Sequence, residues 1–198
     1  PIQTSRTLLL SDGATISGQK LARFDRMLFE ATAPIFEGRG GSRTTLNGPN
    51  AIELSFQAKV ASLGPVMRLD ASRFNLLSGD LIFLNGSFLS VAGDLLWLGN
   101  GSQLNLANGA VLSVTGNSVA SIGGALVNFG GIRNQINVTN TACAGAECVS
   151  FGPVRVALTG GATGANVSIG GNVVKGTGGA INYSSPNAAA IILNGSGS

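Results

Sequence analysis

Hydrophobic and polar residues alternate along much of the chain, and the alternation recurs at intervals of roughly 15 residues. The clearest copies occupy residues 80–91, 94–106 and 110–122, and each reads as two short strands joined by a turn and closed by glycine. Blurred copies begin near residues 6, 19, 33 and 50; the segment from Val60 to Leu63, for example, matches the segment from Val119 to Ile122. The pattern predicts irregular units to about residue 64 and regular units over 65–138.

Alternate residues of each predicted strand should face the core, because successive side chains of a strand point to opposite sides. In the first strand of successive units the inward pairs are Met67/Leu69, Ile82/Leu84, Leu96/Leu98, Leu112/Val114 and Val127/Phe129. In the second strand they are Phe74/Leu76, Leu89/Val91, Leu104/Leu106, Ala120/Ile122 and Ile136/Val138. A small polar residue stands between the two members of each second-strand pair. These residues predict one solvent-facing column or hydrogen-bonded ladder of Asn75, Ser90, Asn105, Ser121 and Asn137.

Units of this kind cannot bury their apolar side singly, so neighbouring units must cover each other. The predicted fold is all-β: a β-solenoid, or parallel β-helix, of two-strand units stacked about 4.8 Å apart. Asn-Gly at 85–86 and 100–101 is also a hairpin signal, which leaves an antiparallel β-sandwich as the alternative. A second alternative is local, since Leu21, Phe24 and Leu28 have helical spacing and Pro34 would end an amphipathic helix over 19–31.

The repeat weakens after residue 140, which divides the chain into a solenoid region, 1–140, and a glycine-rich C-terminal β segment, 141–198. Residues 153–158, 165–169 and 188–193 still predict strands. The last strands of a solenoid present open N–H and C=O groups unless they are capped or paired. We therefore expect the C-terminal segment to be a cap or a docking end. Within it, Cys143 and Cys148 are predicted to form a disulfide, with two free thiols as the alternative.

Charge is sparse: 11% of residues are charged, and nine of the 12 lysines and arginines precede residue 76. A nucleic-acid surface needs clustered basic residues, often with aromatic platforms, so no nucleic-acid partner is expected. No apolar run has the ~18–20 residues of a membrane-spanning helix, and the N-terminus lacks a signal-peptide pattern. With no histidine and two cysteines, the chain predicts neither a metal site nor a cofactor.

Carboxylates are the remaining candidates for catalysis, because some solenoid enzymes cleave acidic polysaccharides with aspartates on one face. Asp80 and Asp94 both open a unit, but no lysine or arginine lies between Arg73 and Arg133 to bind an acidic sugar. We interpret the two aspartates as caps of turns and predict no enzymatic activity.

Apolar residues also occupy the positions of the first strand that should face outward: Leu81, Phe83, Leu95 and Trp97, followed by Val111 and Leu126. A strand that is apolar on both faces is normally covered on both. If the units stack in register, Leu81, Phe83, Leu95 and Trp97 form a contiguous patch that a soluble monomer seldom leaves bare. Three hypotheses are open: cover by another part of the chain, a contact between subunits, or a sugar-stacking platform.

The units of the form Gly-x-Leu-x-x-Leu-x-Asn-Gly-Ser-x-Leu-x-Leu over 65–138 resemble the β-helical repeats of filamentous-haemagglutinin-like and autotransporter surface proteins of bacteria. The resemblance implies a secreted or cell-surface protein that acts in adhesion, biofilm or envelope structure. It favours a non-catalytic structural protein whose solenoids self-associate into a filament. The alternative is a monomeric adhesin segment that binds a glycan or a host protein.

Overall fold

A computed structural model of the chain shows only strands, turns and irregular segments in the residues it describes, with no helix among them. These residues are 2–107, 109–139, 154–159, 166–183 and 191–195; for 154–159, 183 and 191–195 the backbone alone is described. The strands form four parallel sheets, here named A to D.

Each sheet receives every fourth strand of the chain. Sheet A contains β1 (Ile2–Thr4), β5 (Leu28–Ala31), β9 (Lys59–Ser62), β13 (Phe88–Val91), β17 (Val119–Ile122) and β21 (Asn166–Ile169). Sheet B contains β2 (Leu9–Asp12), β6 (Phe36–Arg39), β10 (Met67–Asp70), β14 (Leu96–Gly99), β18 (Val127–Gly130) and β22 (Val174–Gly176). Sheet C contains β3 (Thr15–Gly18), β7 (Arg43–Leu46), β11 (Arg73–Leu76), β15 (Gln103–Leu106), β19 (Asn134–Val138) and β23 (Gly179–Tyr183). Sheet D contains β4 (Ala22–Asp25), β8 (Asn50–Ser55), β12 (Asp80–Asn85), β16 (Leu112–Thr115), β20 (Val154–Thr159) and β24 (Ile191–Gly195).

The chain visits sheets A, B, C and D in turn and then begins the next coil, so the predicted β-solenoid is confirmed. Up to residue 138 one coil takes about 30 residues: Thr45, Asn75 and Asn105, which stack in sheet C, are each 30 residues apart. The 15-residue unit of the sequence is therefore half a coil. The step from Asn137 to Asn182, farther along this stack, takes 45 residues. Neighbouring strands pair in parallel throughout the described sheets, and the antiparallel sandwich is wrong.

The core lies inside the coil and consists of the inward pairs that the alternation predicts. All ten pairs are buried, and the most exposed member is Phe129 at 5%. Each inward residue stacks on its counterpart one coil away, as Met67 does on Leu96 and Phe74 on Leu104. Because every coil covers the next, apolar burial is continuous along the solenoid axis.

Residues 19–31 form β4 and β5, so the helical alternative is wrong there. β4 pairs with β8, which satisfies its backbone groups through a neighbouring coil instead of through a helix. At the intervening turn, Arg26 has a φ of 52°, which a right-handed helix does not allow. Phe24 and Phe29 both face the core, with ring centroids 4.9 Å apart.

The sequence match between 60–63 and 119–122 is displaced by one residue in the structure. Val60 is in register with Leu89 and thereby with Ala120, not with Val119. Ser62 consequently faces the core, at 2% exposed, while Leu63 is 65% exposed at the corner. A slip of one residue exchanges the two faces of a strand, so the alignment misplaced this side chain.

Serines close the turns between sheets B and C from the inside. Ser42 donates to Ser72 at 3.1 Å, and the Ser72 N–H donates to Ser102 at 3.2 Å. The Ser102 N–H in turn donates to Asn134 at 3.0 Å, and all four residues are buried. Gly101 precedes Ser102 with a φ of 76°, a conformation that glycine adopts without strain. The Asn-Gly-Ser sequence is therefore the corner of a coil, not a hairpin.

The strands described beyond residue 140 extend the same four sheets. β20, β21 and β24 lie close to the strands predicted at 153–158, 165–169 and 188–193, whereas the sequence does not predict β22 and β23. Cys143 and Cys148 lie outside the described residues.

Candidate functional surfaces

Leu81 and Leu95 face the core, and the prediction that they belong to an outward patch is wrong. Both are 0% exposed, as are Val111 and Leu126. Leu95, Val111 and Leu126 immediately precede a strand, and Leu81 is the second residue of β12. Each is followed by another buried residue, so two consecutive side chains point inward where the chain bends. Their backbones stay paired: the Leu81 N–H donates to the Ala110 carbonyl at 2.8 Å. The chain itself covers these residues.

Phe83 and Trp97 do face outward, but on different sheets. Phe83 lies in sheet D between Glu53 and Ser113, and Trp97 lies in sheet B between Arg68 and Asn128. Both are half-buried. The four residues of the predicted patch therefore do not form one surface.

Trp97 packs on its own sheet. A Cβ atom at Gly99 or Gly130 would overlap the indole ring, so glycine is required beneath it. The Arg68 guanidinium lies over the ring, 4.5 Å from the ring centroid, in cation–π geometry. These contacts within the chain already use the aromatic surface that a bound sugar would need.

Asp80 and Asp94 act as caps, as the sequence indicates. The Asp80 carboxylate accepts the Ala110 N–H of the next coil at 2.8 Å, and Asp94 accepts the Ala125 N–H at 2.7 Å. Asp80 opens a strand of sheet D, whereas Asp94 lies just before a strand of sheet B. The two carboxylates are thus held at different corners and do not form a pair.

The pKa of Asp94, which lies two residues before β14, is lowered. Burial by itself raises its pKa, but hydrogen bonds from the Ala125 N–H and the Asn128 amide, together with Lys175, outweigh burial and lower the pKa below its usual value. The Asn128 amide lies 2.6 Å and the Lys175 ammonium 3.2 Å from the carboxylate. Glu53 in sheet D is similar: burial raises its pKa, and Lys20 and Arg23 lower it further than burial raises it.

The polar column of the sequence divides into two columns on sheets that are not adjacent. Ser90 and Ser121 lie in sheet A, whereas Asn75, Asn105 and Asn137 lie in sheet C. The asparagines form a ladder in which each amide donates to the preceding coil. Its donor-to-acceptor distances are 3.2 Å from Asn75 to Thr45, 2.6 Å from Asn105 to Asn75, 2.8 Å from Asn137 to Asn105 and 2.9 Å from Asn182 to Asn137.

A groove runs over sheet A and its corner with sheet B. Ala61 and Ser90 are on its floor, and two adjoining cavities of about 620 and 330 Å³ share them. Leu63 lines the first cavity; Leu28 and Phe88, which are 41% and 42% exposed, line the second. Short side chains on the floor with longer apolar ones beside them suit an extended ligand.

The solenoid core is open at its two described ends. Ile2 is in register with the buried Phe29 but is 56% exposed, and Val174 is in register with the buried Val127 but is 38% exposed. Ile16 and Ile181, at the two ends of sheet C, are half-buried. These residues face inward, and among the described residues no further coil packs on them.

Among the described residues, no group of three or more histidine, cysteine, aspartate or glutamate side chains is placed to hold a metal ion. The same part of the chain contains no helix long and apolar enough to cross a membrane. No family model matches the sequence, and neither a curated protein nor a solved structure matches it.

Proposed function

We propose that this chain is a non-catalytic structural protein of the cell surface or extracellular space, and that its solenoids stack end to end into a filament. The observation that carries the proposal is the match between the two open ends. Ile2 belongs to the same inward column as Val167, Leu9 to that of Val174, and Ile16 to that of Ile181. A second copy placed in register therefore continues the core.

Backbone chemistry supports the same contact. β1 to β4 are the outermost strands of their sheets at one end and β21 to β24 at the other, so each has one unpaired edge within the described sheets. Such edges are templates for another strand. The outward asparagine ladder would also continue, because Asn182 stands in the column of Ser17. Joining two different ends is a heterologous contact that does not close on itself, and such contacts produce filaments.

Other observations fit a structural role. Asp80 and Asp94, the carboxylates considered for catalysis, serve as backbone caps at separate corners. The proposed location outside the cell rests on the low charge of the chain and on its resemblance to bacterial surface repeats.

Two end-blocking variants test the proposal. Ile16→Lys places a charge in the core at one end, and Ile181→Lys does so at the other. Each variant alone should fail to polymerise, whereas an equimolar mixture should give dimers, because each retains one intact end. Analytical ultracentrifugation and electron microscopy measure the outcome, and circular dichroism checks the fold. Leu77→Lys, at a lateral position 52% exposed, is the control that should polymerise like the original chain.

A chain that remains monomeric up to its solubility limit would overturn the proposal. Polymerisation of Ile16→Lys alone, or a mixture that behaves as two monomers, would show that the contact is lateral or unrelated to the ends.

The alternative is a monomeric adhesin segment that binds a glycan or a host protein, and the groove on sheet A favours it. Phe88→Ala should then abolish binding to whichever surface component the chain recognises, whereas Trp97→Ala should act mainly on stability. Unchanged binding by Phe88→Ala in a screen of neutral glycans and matrix proteins would remove this alternative.

A further inference from the structure

Two arginines lie side by side on the outer face of sheet C. Arg43 opens β7 and Arg73 opens β11, and the two residues are in direct register. Both side chains are exposed. Because neighbouring strands are about 4.8 Å apart, the chain holds two positive charges at one coil spacing. Gln103 and Gln135 continue the same column.

Neither arginine has a carboxylate partner among the described residues. The ion pairs of this part of the chain involve Lys20, Arg23, Arg26, Arg39, Arg68 and Lys175. Arg73 instead donates to the Gln103 amide oxygen at 2.9 Å. Like charges placed opposite each other on adjacent strands destabilise a sheet. An anion bound between the two arginines would remove that repulsion.

A small cleft of about 220 Å³ is lined by both arginines. The corner between sheets B and C forms it, and Ser42, Ser72 and Asn100 line it with the two arginines. Pockets for drug-sized ligands begin at about 300 Å³, so this cleft suits one small acidic group. Guanidinium groups bind carboxylate and sulfate through paired hydrogen bonds, which makes arginine better suited to this task than lysine.

The asparagine ladder runs beside the arginine column on the same face. Each amide in the ladder donates one N–H to its neighbour and keeps a second N–H. Asn75 and Asn105 therefore offer donors at one-coil intervals. Such a row suits the hydroxyl groups of a polymer that lies along the solenoid axis.

Two other partners fit this face less well. The outward positions of sheet C hold no aromatic residue among those described, so bases of a single-stranded nucleic acid would find no stacking surface. A second copy of the chain offers few free carboxylates, since those of Asp12, Glu37, Glu53, Asp70 and Asp94 lie in ion pairs.

We propose that the outer face of sheet C binds an acidic polysaccharide laid along the solenoid axis, with Arg43 and Arg73 together binding one carboxylate or sulfate group. The inference is independent of end-to-end stacking, because sheet C is a lateral face that stacking leaves open.

Binding of the 198-residue chain to immobilised polygalacturonate, dextran sulfate and neutral dextran tests the proposal by biolayer interferometry. The first two probes distinguish carboxylate from sulfate, and the third should not bind. Arg43→Gln/Arg73→Gln should weaken binding at least about tenfold, or about 1.4 kcal/mol, because the charge-assisted hydrogen bonds to the anion are lost. Arg43→Lys/Arg73→Lys keeps the charge but loses the paired geometry and should bind with intermediate affinity.

The matched control is Arg6→Gln/Lys59→Gln, which removes the same charge from positions outside sheet C and should change binding less than about twofold. Equal losses of affinity in the two double glutamine variants would show that binding depends on net charge alone and would overturn the proposal. Failure of both acidic probes to bind would also overturn it, as would equal affinity for single-stranded DNA.

Discussion

Replacing Leu81 by alanine tests the placement of the corner residues most directly. Leu81 is 0% exposed, whereas the alternation in the sequence places it on the outer surface. The substitution therefore creates a cavity in the core. If the side chain faces outward, little changes.

The structure sets the expected magnitude. The substitution removes three buried carbon atoms at about 0.8 kcal/mol each, and the cavity adds to that loss. The site has little freedom to collapse, because its backbone is held on two sides: Asp80 and Ile82 pair with β8, and the Leu81 N–H donates to the Ala110 carbonyl at 2.8 Å. We expect a loss of about 3 kcal/mol in the free energy of unfolding, within the range of about 2–5 kcal/mol for such substitutions.

Equilibrium unfolding in urea, followed by far-UV circular dichroism and by the fluorescence of Trp97, measures the loss. Dilute protein should be used, because stacking would make the stability depend on concentration. Leu77→Ala is the matched control: Leu77 is 52% exposed at the same corner of the coil, and its loss should stay below about 1 kcal/mol. Equal midpoints for the two variants, with equal denaturant slopes, would refute the placement of Leu81.

Two further predictions concern polar contacts. The pKa of Asp94 is lowered in the folded chain, so its stabilisation is present above the pKa of the unfolded chain, about 3.9, and is lost as the pH falls through the folded value. Asp94→Asn should therefore lose less stability than the original chain on acidification below about pH 4, and parallel pH profiles of the unfolding midpoint would contradict this. Asn105→Ala removes two ladder hydrogen bonds, of 2.6 and 2.8 Å, and should cost about 1–2 kcal/mol in the same urea assay. Ser90→Ala, at the matching position of sheet A, should change stability by less than about 0.5 kcal/mol, and equal effects would show that the ladder does not stabilise the fold.

The alternation of residues within a strand could be read from the sequence because it is a local property. It placed the inward pairs, such as Met67 and Leu69, correctly. It failed at the corners, where Leu81 precedes the inward-facing Ile82 and both are buried. The bend of the backbone there depends on how the four sheets close into a coil, which no single strand encodes.

The length of the coil was not readable for a related reason. Both half-coils carry the same alternation, so the 15-residue unit hides the 30-residue repeat. Once the coil length is known, Arg43 and Arg73 become neighbours, although the sequence shows only two arginines 30 residues apart. Polar residues with a 30-residue spacing, such as Ser42, Ser72 and Ser102, indicate the length of the coil. With that length, the outer face of sheet C could also be predicted.

Between Ile2 and Val138 the coils have similar sizes, about 30 residues each, and this determines how that part of the chain responds to tension. Each coil is held to the next by short parallel strands, so a pull on one end of the chain peels the outermost coil while the others stay intact. Every coil of about 30 residues then releases roughly 100 Å of extended chain. Tension is thus dissipated in successive steps of similar length, and each released coil can wind back onto the edge that remains.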